Sequence, residues 1–451
     1  MNDVIVAIST TVGVGAIAIV RLTGNGSIEL VSKIFKGKNL EKVDSHTINY
    51  GHIIDDDNII DEVMVSIMKA PKTFTKEDVV EINCHGGVAT TNKILELILK
   101  NGVRLAEPGE FTKRAFLNGR IDLIEAESVI DLINSKTEKA RKVAINNLSG
   151  SLTDKIRVFR QHLLELIANI EVNIDYPEYE DIEVVTIDKI KEQIEYIKKE
   201  MKDIVKASED GIVIKNGIKA VILGRPNVGK SSLLNKLIEE DKAIVTDIAG
   251  TTRDIVEGSI ILSGIAINFI DTAGIRETTD VIEKVGVEKS LKEIKEADLA
   301  IFVLNNNEEL TKEDEEILDR IKDIKTIIVI NKKDLPKKVN LNRFDNKDIV
   351  YTTTLESDGI NQLKDKIIEM FNLDELEQND GILLTTIRQI SLAKEALSIL
   401  NNVEEAIDND VPVDLVEIDI KKIWEKLGDI IGETYSEELI NQLFSQFCLG
   451  K

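Results

Sequence analysis

The sequence is poor in several residue types, and each shortage argues against a class of protein. Only two cysteines, Cys84 and Cys448, occur among 451 residues, so neither a disulfide framework nor a cysteine zinc site is expected. Lys and Arg number 57 against 81 Asp and Glu, which gives a formal net charge of -24. Such a charge repels polyanions, and any contact with a nucleic acid therefore requires a local cationic patch.

Long apolar runs are also missing from the sequence. No stretch reaches the roughly 18 consecutive apolar residues that a membrane-spanning helix needs. The short apolar stretch 12–20 is interrupted by glycine and has no Lys or Arg before it, unlike a secretory signal. We expect a cytoplasmic protein with no membrane association.

The hydrophobic pattern changes along the chain and predicts several domains, since 451 residues exceed the usual size of one core. Strand and helix patterns are mixed up to residue 120, and helical periodicity dominates 121–208 and the region after 380. Between 217 and 371 strands and helices alternate, which is typical of a parallel sheet covered on both faces. The strands predicted in the first 120 residues are 4–9, 16–22, 47–54, 62–68 and 78–83, and the predicted helices are 27–35 and 88–100.

From this order we predict a fold of α/β plus all-α class. It consists of an N-terminal α+β domain at 1–120, a helical bundle domain made from 121–215 and 375–451, and an α/β domain at 216–374 that is inserted into the bundle. Insertion requires only that the termini of the inserted domain lie close together. Three domains arranged in a row are the alternative.

A phosphate-binding loop is predicted at 224–231. The predicted strand 218–223 leads into Gly-Arg-Pro-Asn-Val-Gly-Lys-Ser and then a helical pattern, which is the order of a Walker A motif. The glycines let backbone N–H groups surround phosphates, and the dipole of the following helix adds attraction. We expect Lys230 to contact the β- and γ-phosphates and the Ser231 hydroxyl to ligate magnesium.

Two further motifs specify the nucleotide. In Asp-Thr-Ala-Gly at 271–274, the carboxylate can hold the magnesium shell and the Gly274 N–H can meet the γ-phosphate. In Asn-Lys-Lys-Asp at 331–334, the Asp334 carboxylate accepts from the two N–H donors on the edge of guanine. Adenine would leave that carboxylate unpaired, a loss on the order of 2 to 4 kcal/mol. Together the three motifs predict a Ras-like P-loop GTPase domain that hydrolyses GTP.

The residue that positions the attacking water is left open by these motifs. Ile275 stands where Ras-type enzymes carry a glutamine, so a substitute is needed. Three acidic residues nearby can orient a water molecule: Glu277, Asp280 and Glu283.

Charge that develops on the γ-phosphate also needs a counter-charge. Spacing assigns no arginine finger, although Arg253 and Arg276 lie in segments expected to flank the phosphate. The side-chain oxygen of Asn227 and the carbonyls of 245–251 offer an alternative, a bound monovalent cation.

Three segments resemble the MnmE family, also called TrmE, of tRNA uridine-modification GTPases. They are the phosphate loop 224–231, the segment Val-Thr-Asp-Ile-Ala-Gly-Thr-Thr-Arg-Asp at 245–254, and Phe-Cys-Leu-Gly-Lys at 447–451. The resemblance covers the whole chain and implies that the N-terminal domain binds folate and that the GTPase domain is inserted into a helical domain. One departure is the loop expected to contact the base, which reads Thr-Thr-Leu at 353–355 rather than the usual Ser-Ala-Lys.

The resemblance implies ligands for two cations and a role for one acidic residue. Potassium would activate hydrolysis when two GTPase domains pair face to face. Its implied ligands are Asn227, Thr246, Ile248 and Thr251. Magnesium would be held by Ser231 and Thr252, and Glu283 would orient the attacking water.

The predicted nucleotide site follows from the motifs and the resemblance together. The predicted catalytic residues are Lys230, Thr252, Asp271, Gly274 and Glu283. The predicted GTP contacts are Asn227, Val228, Gly229, Lys230, Ser231, Ser232, Thr246, Asp247, Ile248, Ala249, Gly250, Thr251, Thr252, Asp271, Thr272, Ala273, Gly274, Asn331, Lys332, Asp334, Thr353, Thr354 and Leu355.

A second site is implied by the resemblance alone. Members of the family bind a reduced folate, 5-formyl- or methylene-tetrahydrofolate, as a one-carbon donor, and the matching positions here are Arg21, Glu81, Arg120 and Lys451. Arg and Lys can hold the carboxylates of the glutamate tail, while Glu81 can accept from the aminopyrimidine edge of the pterin. Without the resemblance, all four would be read as surface or salt-bridge residues.

The partners are likewise implied by the resemblance. They are a second copy of the chain in a homodimer, an MnmG-type FAD-dependent protein in a heterotetramer, and tRNA, whose wobble uridine receives a carboxymethylaminomethyl or aminomethyl group at C5. A GTP-switched RNA-binding or ribosome-assembly factor is the alternative from another class. Such factors usually carry a basic RNA-binding module, whereas this chain is acidic. A third alternative, a folate-binding scaffold without turnover, would give Lys230 and Asp271 no catalytic role.

Overall fold

The computed structural model describes most of the chain, which divides into two compact units. The described residues are 3–175, 187–240, 256–270, 294–340, 344, 347–353, 358–378 and 382–450. The first unit is made of Met1–Ile130, Asn147–Ile197 and Leu392–Lys451. The second unit is made of Asp131–Asn146 and Lys198–Ser391.

A seven-stranded sheet lies in the first unit, in the order β3-β4-β5-β6-β2-β1-β7. β1 and β7 run parallel, and the other neighbouring strands pair antiparallel. The strands are β1 (Ile5–Ile8), β2 (Ile17–Thr23), β3 (Phe35–Gly37), β4 (Thr47–Asp55), β5 (Asn58–Met68), β6 (Val79–His85) and β7 (Arg104–Leu105). All five predicted strands are confirmed, whereas β3 and β7 were missed because two or three residues are too few to show an alternation.

The two faces of this sheet differ. On β2, Ala18, Val20 and Leu22 point to the core shared with the helices Ser27–Ile34 and Val88–Lys100, both of which were predicted. The residues between them along the strand point to the opposite face. That face carries Arg21 and Glu81 together with exposed apolar side chains, which are Ile17, Ile48, Tyr50 and Met64.

Helices dominate the described residues between 121 and 216 and after 382, as predicted. Their bounds are Leu123–Asn134, Glu138–Leu148, Ser151–Asp175, Ile187–Asn216, Ile387–Asp408, Val413–Ile431 and Glu437–Phe444. Ser149-Gly150 falls between two of them, where Gly150 has a φ of 87°. Among the described helices, none has the length and apolarity that crossing a bilayer would require.

The sheet of the second unit has six strands in the order β13-β12-β11-β8-β10-β9, and all neighbours are parallel except the antiparallel pair of β9 and β10. Alternate residues of β11 enter two separate cores, with Ile301 and Val303 in one and Phe302 and Leu304 in the other. The predicted parallel sheet with both faces covered is therefore confirmed. The strands are β8 (Ile218–Leu223), β9 (Val256–Leu262), β10 (Ile265–Ile270), β11 (Leu299–Asn305), β12 (Lys325–Asn331) and β13 (Asp348–Tyr351), and the helices among them are Lys230–Glu240, Lys312–Arg320, Asp358–Phe371 and Leu373–Gln378.

Candidate nucleotide site and candidate folate site

The phosphate loop connects β8 to the helix Lys230–Glu240 and has an unusual backbone. Gly224, Asn227 and Gly229 have φ values of 142°, 65° and 103°. A Cβ on Gly224 would lie 2.3 Å from the Val303 carbonyl oxygen, and one on Gly229 would lie 2.2 Å from Nδ2 of Asn331. Both positions therefore require glycine, and the loop backbone lies directly against the ends of β11 and β12. Such a close-packed loop before a helix is a suitable cradle for phosphate groups.

The functional side chains of the loop lie where the helix begins. The Lys230 ammonium donates to the carbonyls of Gly224 at 2.6 Å and Arg225 at 2.9 Å, so it lies across the loop. Ser231 and Ser232 follow in the first turn and are both exposed. The loop thus presents an ammonium and two accessible hydroxyls on the side where phosphates and a divalent cation would bind.

Asn331 joins the predicted base motif to the phosphate loop. Its Nδ2 donates to the Val228 carbonyl at 2.8 Å, and its Oδ1 accepts from the Thr352 hydroxyl at 3.2 Å. The neighbouring Lys332 ammonium donates to the Asn227 carbonyl at 3.0 Å. The structure therefore brings two of the three predicted nucleotide motifs together through direct hydrogen bonds.

Asp334, the last residue of the base motif, accepts a hydrogen bond from a neighbouring side chain. The hydroxyl of Thr353 donates to its Oδ1 at 2.8 Å. Thr353 is only 4% exposed, whereas Asp334 is exposed. The carboxylate is thus oriented on one edge and accessible on the other, as an acceptor for a guanine base must be.

Arg225, the second residue of the phosphate loop, makes an ionic contact that the sequence analysis missed. Its Nε lies 2.9 Å from Oδ2 of Asp314, and its Nη2 lies 2.9 Å from Oε2 of Glu308. Asp314 is fully buried and also accepts from the backbone N–H and the hydroxyl of Thr311, both at 2.9 Å. The Thr-x-x-Asp pattern was a visible sign of this helix cap, although its contact with Arg225 was not.

The other predicted nucleotide and cation residues lie outside the part of the chain that the structure describes. They are Thr246, Asp247, Ile248, Ala249, Gly250, Thr251, Thr252, Asp271, Thr272, Ala273, Gly274, Glu283, Thr354 and Leu355.

Arg21 and Glu81 form the centre of the candidate folate site. They are directly opposite each other on β2 and β6, and Nε of Arg21 donates to Oε1 of Glu81 at 2.8 Å. Nη1 of Arg21 donates to the Gly450 carbonyl at 3.3 Å, and the Ser9 hydroxyl donates to the same oxygen at 3.0 Å. The guanidinium also lies 5.8 Å from the centre of the Phe111 ring. The pair is half-buried on the open face of the sheet, where a polar ligand has access to both charges.

The segment before residue 451 is fixed against this domain by close backbone contacts. The Gly109 N–H donates to the Cys448 carbonyl at 3.2 Å, and Phe447 packs in the same core as Phe116. Gly450 has a φ of 88°, and a Cβ there would lie 2.5 Å from the Ile8 carbonyl oxygen. This segment therefore places Gly450 beside Arg21.

The two remaining folate candidates are placed differently. The Arg120 guanidinium lies over the ring of Phe74, 4.9 Å from its centre. Lys451 lies outside the described residues. The structure therefore brings Arg21 and Glu81 together and gives Arg120 an aromatic partner of its own.

The parallel sheet, the glycine-bounded phosphate loop and the base motif bonded to it define a P-loop GTPase. A family model described as the MnmE helical domain matches residues 123–448, and one described as the N-terminus of the GTP-binding protein TrmE matches residues 4–120. The chain belongs to the MnmE family, as the resemblance indicated.

Individual relatives agree with this family. The tRNA modification GTPase MnmE of Ligilactobacillus salivarius is 51% identical over 455 residues, which is 100% of this chain and 98% of that protein. The protein of the same description from Bacillus licheniformis is 51% identical over 458 residues, 100% of each chain. Among solved structures, a variant of Aquifex aeolicus Era bound to GDP and aluminium fluoride is 26% identical, with 40% of this chain and 66% of that chain covered and a TM-score of 0.28.

Proposed function

We propose that the protein is a potassium-activated GTPase that acts with an MnmG-type flavoprotein to add a carboxymethylaminomethyl or aminomethyl group at C5 of the wobble uridine of tRNA. The observation that carries the GTPase part is the hydrogen bond from Asn331 to Val228, because it places a guanine-selective motif against a phosphate loop. The tRNA part is supported by the description of full-length relatives as tRNA modification GTPases.

In the proposed mechanism, the phosphate loop and the Lys230 ammonium hold the β- and γ-phosphates while Asp334 selects the base. Glu283 orients the attacking water. The Gly274 N–H donates to the γ-phosphate, and the Asp271 carboxylate would hold the magnesium shell. Ser231 and Thr252 would hold a magnesium ion, which would supply positive charge at the phosphate oxygens. Asn227, Thr246, Ile248 and Thr251 are the proposed potassium ligands, and Asn227 already has its side chain exposed on the loop.

The proposed second ligand is a reduced folate at Arg21 and Glu81, with Arg120 and Lys451 as further contacts. The half-buried carboxylate of Glu81 suits the N–H donors of a pterin, and its ion pair with Arg21 holds that carboxylate in place. Ser9 and Arg21 both donate to the Gly450 carbonyl, which supports a role for this segment in completing the site.

A homodimer formed through the N-terminal domain is the proposed assembly. Tyr50 and Met64 lie directly opposite each other on β4 and β5, and their side chains are 60% and 56% exposed. Exposed apolar side chains on adjacent strands are typical of a surface covered by a partner. We further propose the domain division 1–120, 121–215, 216–374 and 375–451, and a cytoplasmic location, where tRNA and the flavoprotein are available.

Three measurements on the purified full-length chain test these proposals. The GTP hydrolysis rate should be at least tenfold higher in potassium chloride than in sodium chloride at equal ionic strength. Equal rates would refute the potassium site. Equilibrium binding of 5-formyl-tetrahydrofolate should be saturable, and modification of a tRNA transcript should require this chain, the flavoprotein and GTP together. Modification without this chain would refute its proposed role.

A further inference from the structure

A cavity of about 430 Å³ in the N-terminal domain has a distinctly cationic lining. Lys72, Lys76, Arg120 and His46 line it together with Phe74, and none of the described lining residues is acidic. The chain as a whole has 81 acidic residues and a net charge of -24, so a concave surface with only cationic charges is an exception within it. Such a surface attracts anions locally despite the charge of the whole molecule.

Two of these cations contact neighbouring groups, Lys76 a backbone carbonyl and Arg120 an aromatic ring. The Lys76 ammonium donates to the Gly119 carbonyl at 2.8 Å, which leaves two of its three N–H groups for a ligand. The Arg120 guanidinium carbon lies 4.9 Å from the centre of the Phe74 ring, within the range of a cation–π contact. The lining is therefore preorganised, and an anion would meet these charges with little further ordering of side chains.

We propose that Lys72 and Lys76 of this cavity bind a backbone phosphate of the RNA substrate, whereas Arg120 remains a proposed folate contact. The inference rests on the proposed role in tRNA modification, since an acidic protein that binds RNA must do so through a local cationic patch. The volume suits a phosphate with its adjoining ribose, and Lys72 and Lys76 are both exposed, so that a macromolecule has access to them. Phosphate oxygens accept charge-assisted hydrogen bonds from Lys and Arg, which are stronger than neutral ones.

The test compares two double variants of the full-length chain in a tRNA-binding titration at several salt concentrations. Lys72→Ala/Lys76→Ala removes two cations from the cavity. Lys36→Ala/Lys38→Ala removes two exposed cations of the same domain that do not line it. We expect the first variant to bind tRNA about tenfold more weakly at low salt. Its plot of the logarithm of the tRNA association constant against the logarithm of the salt concentration should be less steep, by about 1 to 2. The second variant should keep the wild-type slope.

Folding is monitored in the same samples by the GTP hydrolysis rate and by circular dichroism. Lys72→Glu serves as a second variant that leaves the bond between Lys76 and Gly119 intact, and it should weaken tRNA binding more than Lys36→Glu does. Equal slopes in the two double variants, or a wild-type chain that does not bind tRNA, would overturn the inference.

Two parallel assays separate this inference from the proposed function. Loss of 5-formyl-tetrahydrofolate affinity in Lys72→Ala/Lys76→Ala, with unchanged tRNA binding, would assign the cavity to the anionic tail of the folate and overturn the RNA contact. Failure of the wild-type chain to support tRNA modification with the flavoprotein would overturn the proposed function itself. Modification by the wild type with identical tRNA binding in all variants would overturn only the cavity.

Discussion

Nδ2 of Asn331 donates to the Val228 carbonyl at 2.8 Å, so the end of β12 and the phosphate loop are one hydrogen-bonded unit. The Asn331 side chain is 3% exposed, and its Oδ1 is used by the Thr352 hydroxyl. Binding of the base and binding of the phosphates are therefore linked by a single buried amide.

Replacement of this amide should weaken binding of the whole nucleotide. In Asn331→Ala the Val228 carbonyl and the Thr352 hydroxyl lose their partner, which costs about 1 to 3 kcal/mol. We expect GTP and GDP affinities to fall together by tenfold or more in isothermal titration calorimetry. The control is Asn361→Ala, an exposed position on the helix Asp358–Phe371. Wild-type affinity in Asn331→Ala would contradict the structural link.

The contributions of Arg225 and Asp314 to stability should be energetically coupled to each other. Removing Arg225 leaves the fully buried Asp314 carboxylate without its cation, a loss of about 3 kcal/mol, whereas removing both charges should cost less than the two single changes together. The measurement is hydrogen exchange of the helix Lys312–Arg320 in Arg225→Gln, Asp314→Asn and the double variant. Tryptophan fluorescence would not report on this helix, because the chain's single tryptophan, Trp424, lies in the first unit. Additive effects would show that the pair contributes nothing beyond its parts.

The potassium proposal can be tested with a change that causes no backbone strain. Asn227 has a φ of 65°, which glycine adopts freely, so Asn227→Gly removes the side-chain oxygen alone. We expect the potassium stimulation of GTP hydrolysis to disappear while GDP affinity changes less than about threefold, because the backbone carbonyl that accepts from Lys332 remains. Retained stimulation would exclude Asn227 as a ligand.

Gly450 offers a test of the candidate folate site. In Gly450→Ala the new Cβ would lie 2.5 Å from the Ile8 carbonyl oxygen, so the segment must move away from Arg21. We expect folate affinity to fall about tenfold with unchanged GTP hydrolysis. Gly102→Ala is the matched control, because Gly102 has a similar φ of 87° but nothing within 4 Å of its Cβ position. An equal loss in both variants would attribute the effect to backbone strain.

The carboxylate of Asp61 determines the direction in which the pKa of His85 is shifted. The hydrogen bond that the His85 ring donates to the Asp61 carboxylate raises the pKa of His85 above its usual value near 6.5. Because the folded-state pKa is the higher one, the pair stabilises the fold below the unfolded pKa, and this contribution is lost as the pH rises through the folded pKa. Histidine NMR titration should show the raised pKa, and Asp61→Asn should return it toward the usual value. An unchanged pKa in that variant would refute the assignment.

Local patterns were sufficient to predict most of the secondary structure. β8 and β10 coincide with the mostly apolar segments Ile218–Leu223 and Ile265–Ile270, each with one polar residue, Lys219 or Asn268, because strands buried on both faces are near-continuous apolar segments. The short strand Arg104–Leu105 depends on its partner β1 instead, and a two-residue pattern contains no such information.

The site was predictable in its residue types and less so in its contacts. Asn331 and Lys230 were identified because glycine loops and Asn-Lys-x-Asp have a mechanism that can be read from spacing. The pairing of Arg225 with Asp314 joins residues 89 positions apart and depends on the packing of two elements, as does the cavity around Arg120. Neither arrangement leaves a periodic signal in the sequence.

The hydrogen bond from Arg21 to Gly450 spans 429 positions. At a translation rate of about 5 to 20 residues per second, roughly 20 to 90 seconds separate the synthesis of its two ends. During that interval the N-terminal sheet can already fold and pair Arg21 with Glu81, which holds the guanidinium until its third partner arrives. A nascent chain that has not yet reached residue 450 would thus display an incomplete candidate folate site, which is completed only once the segment around Gly450 has been synthesised.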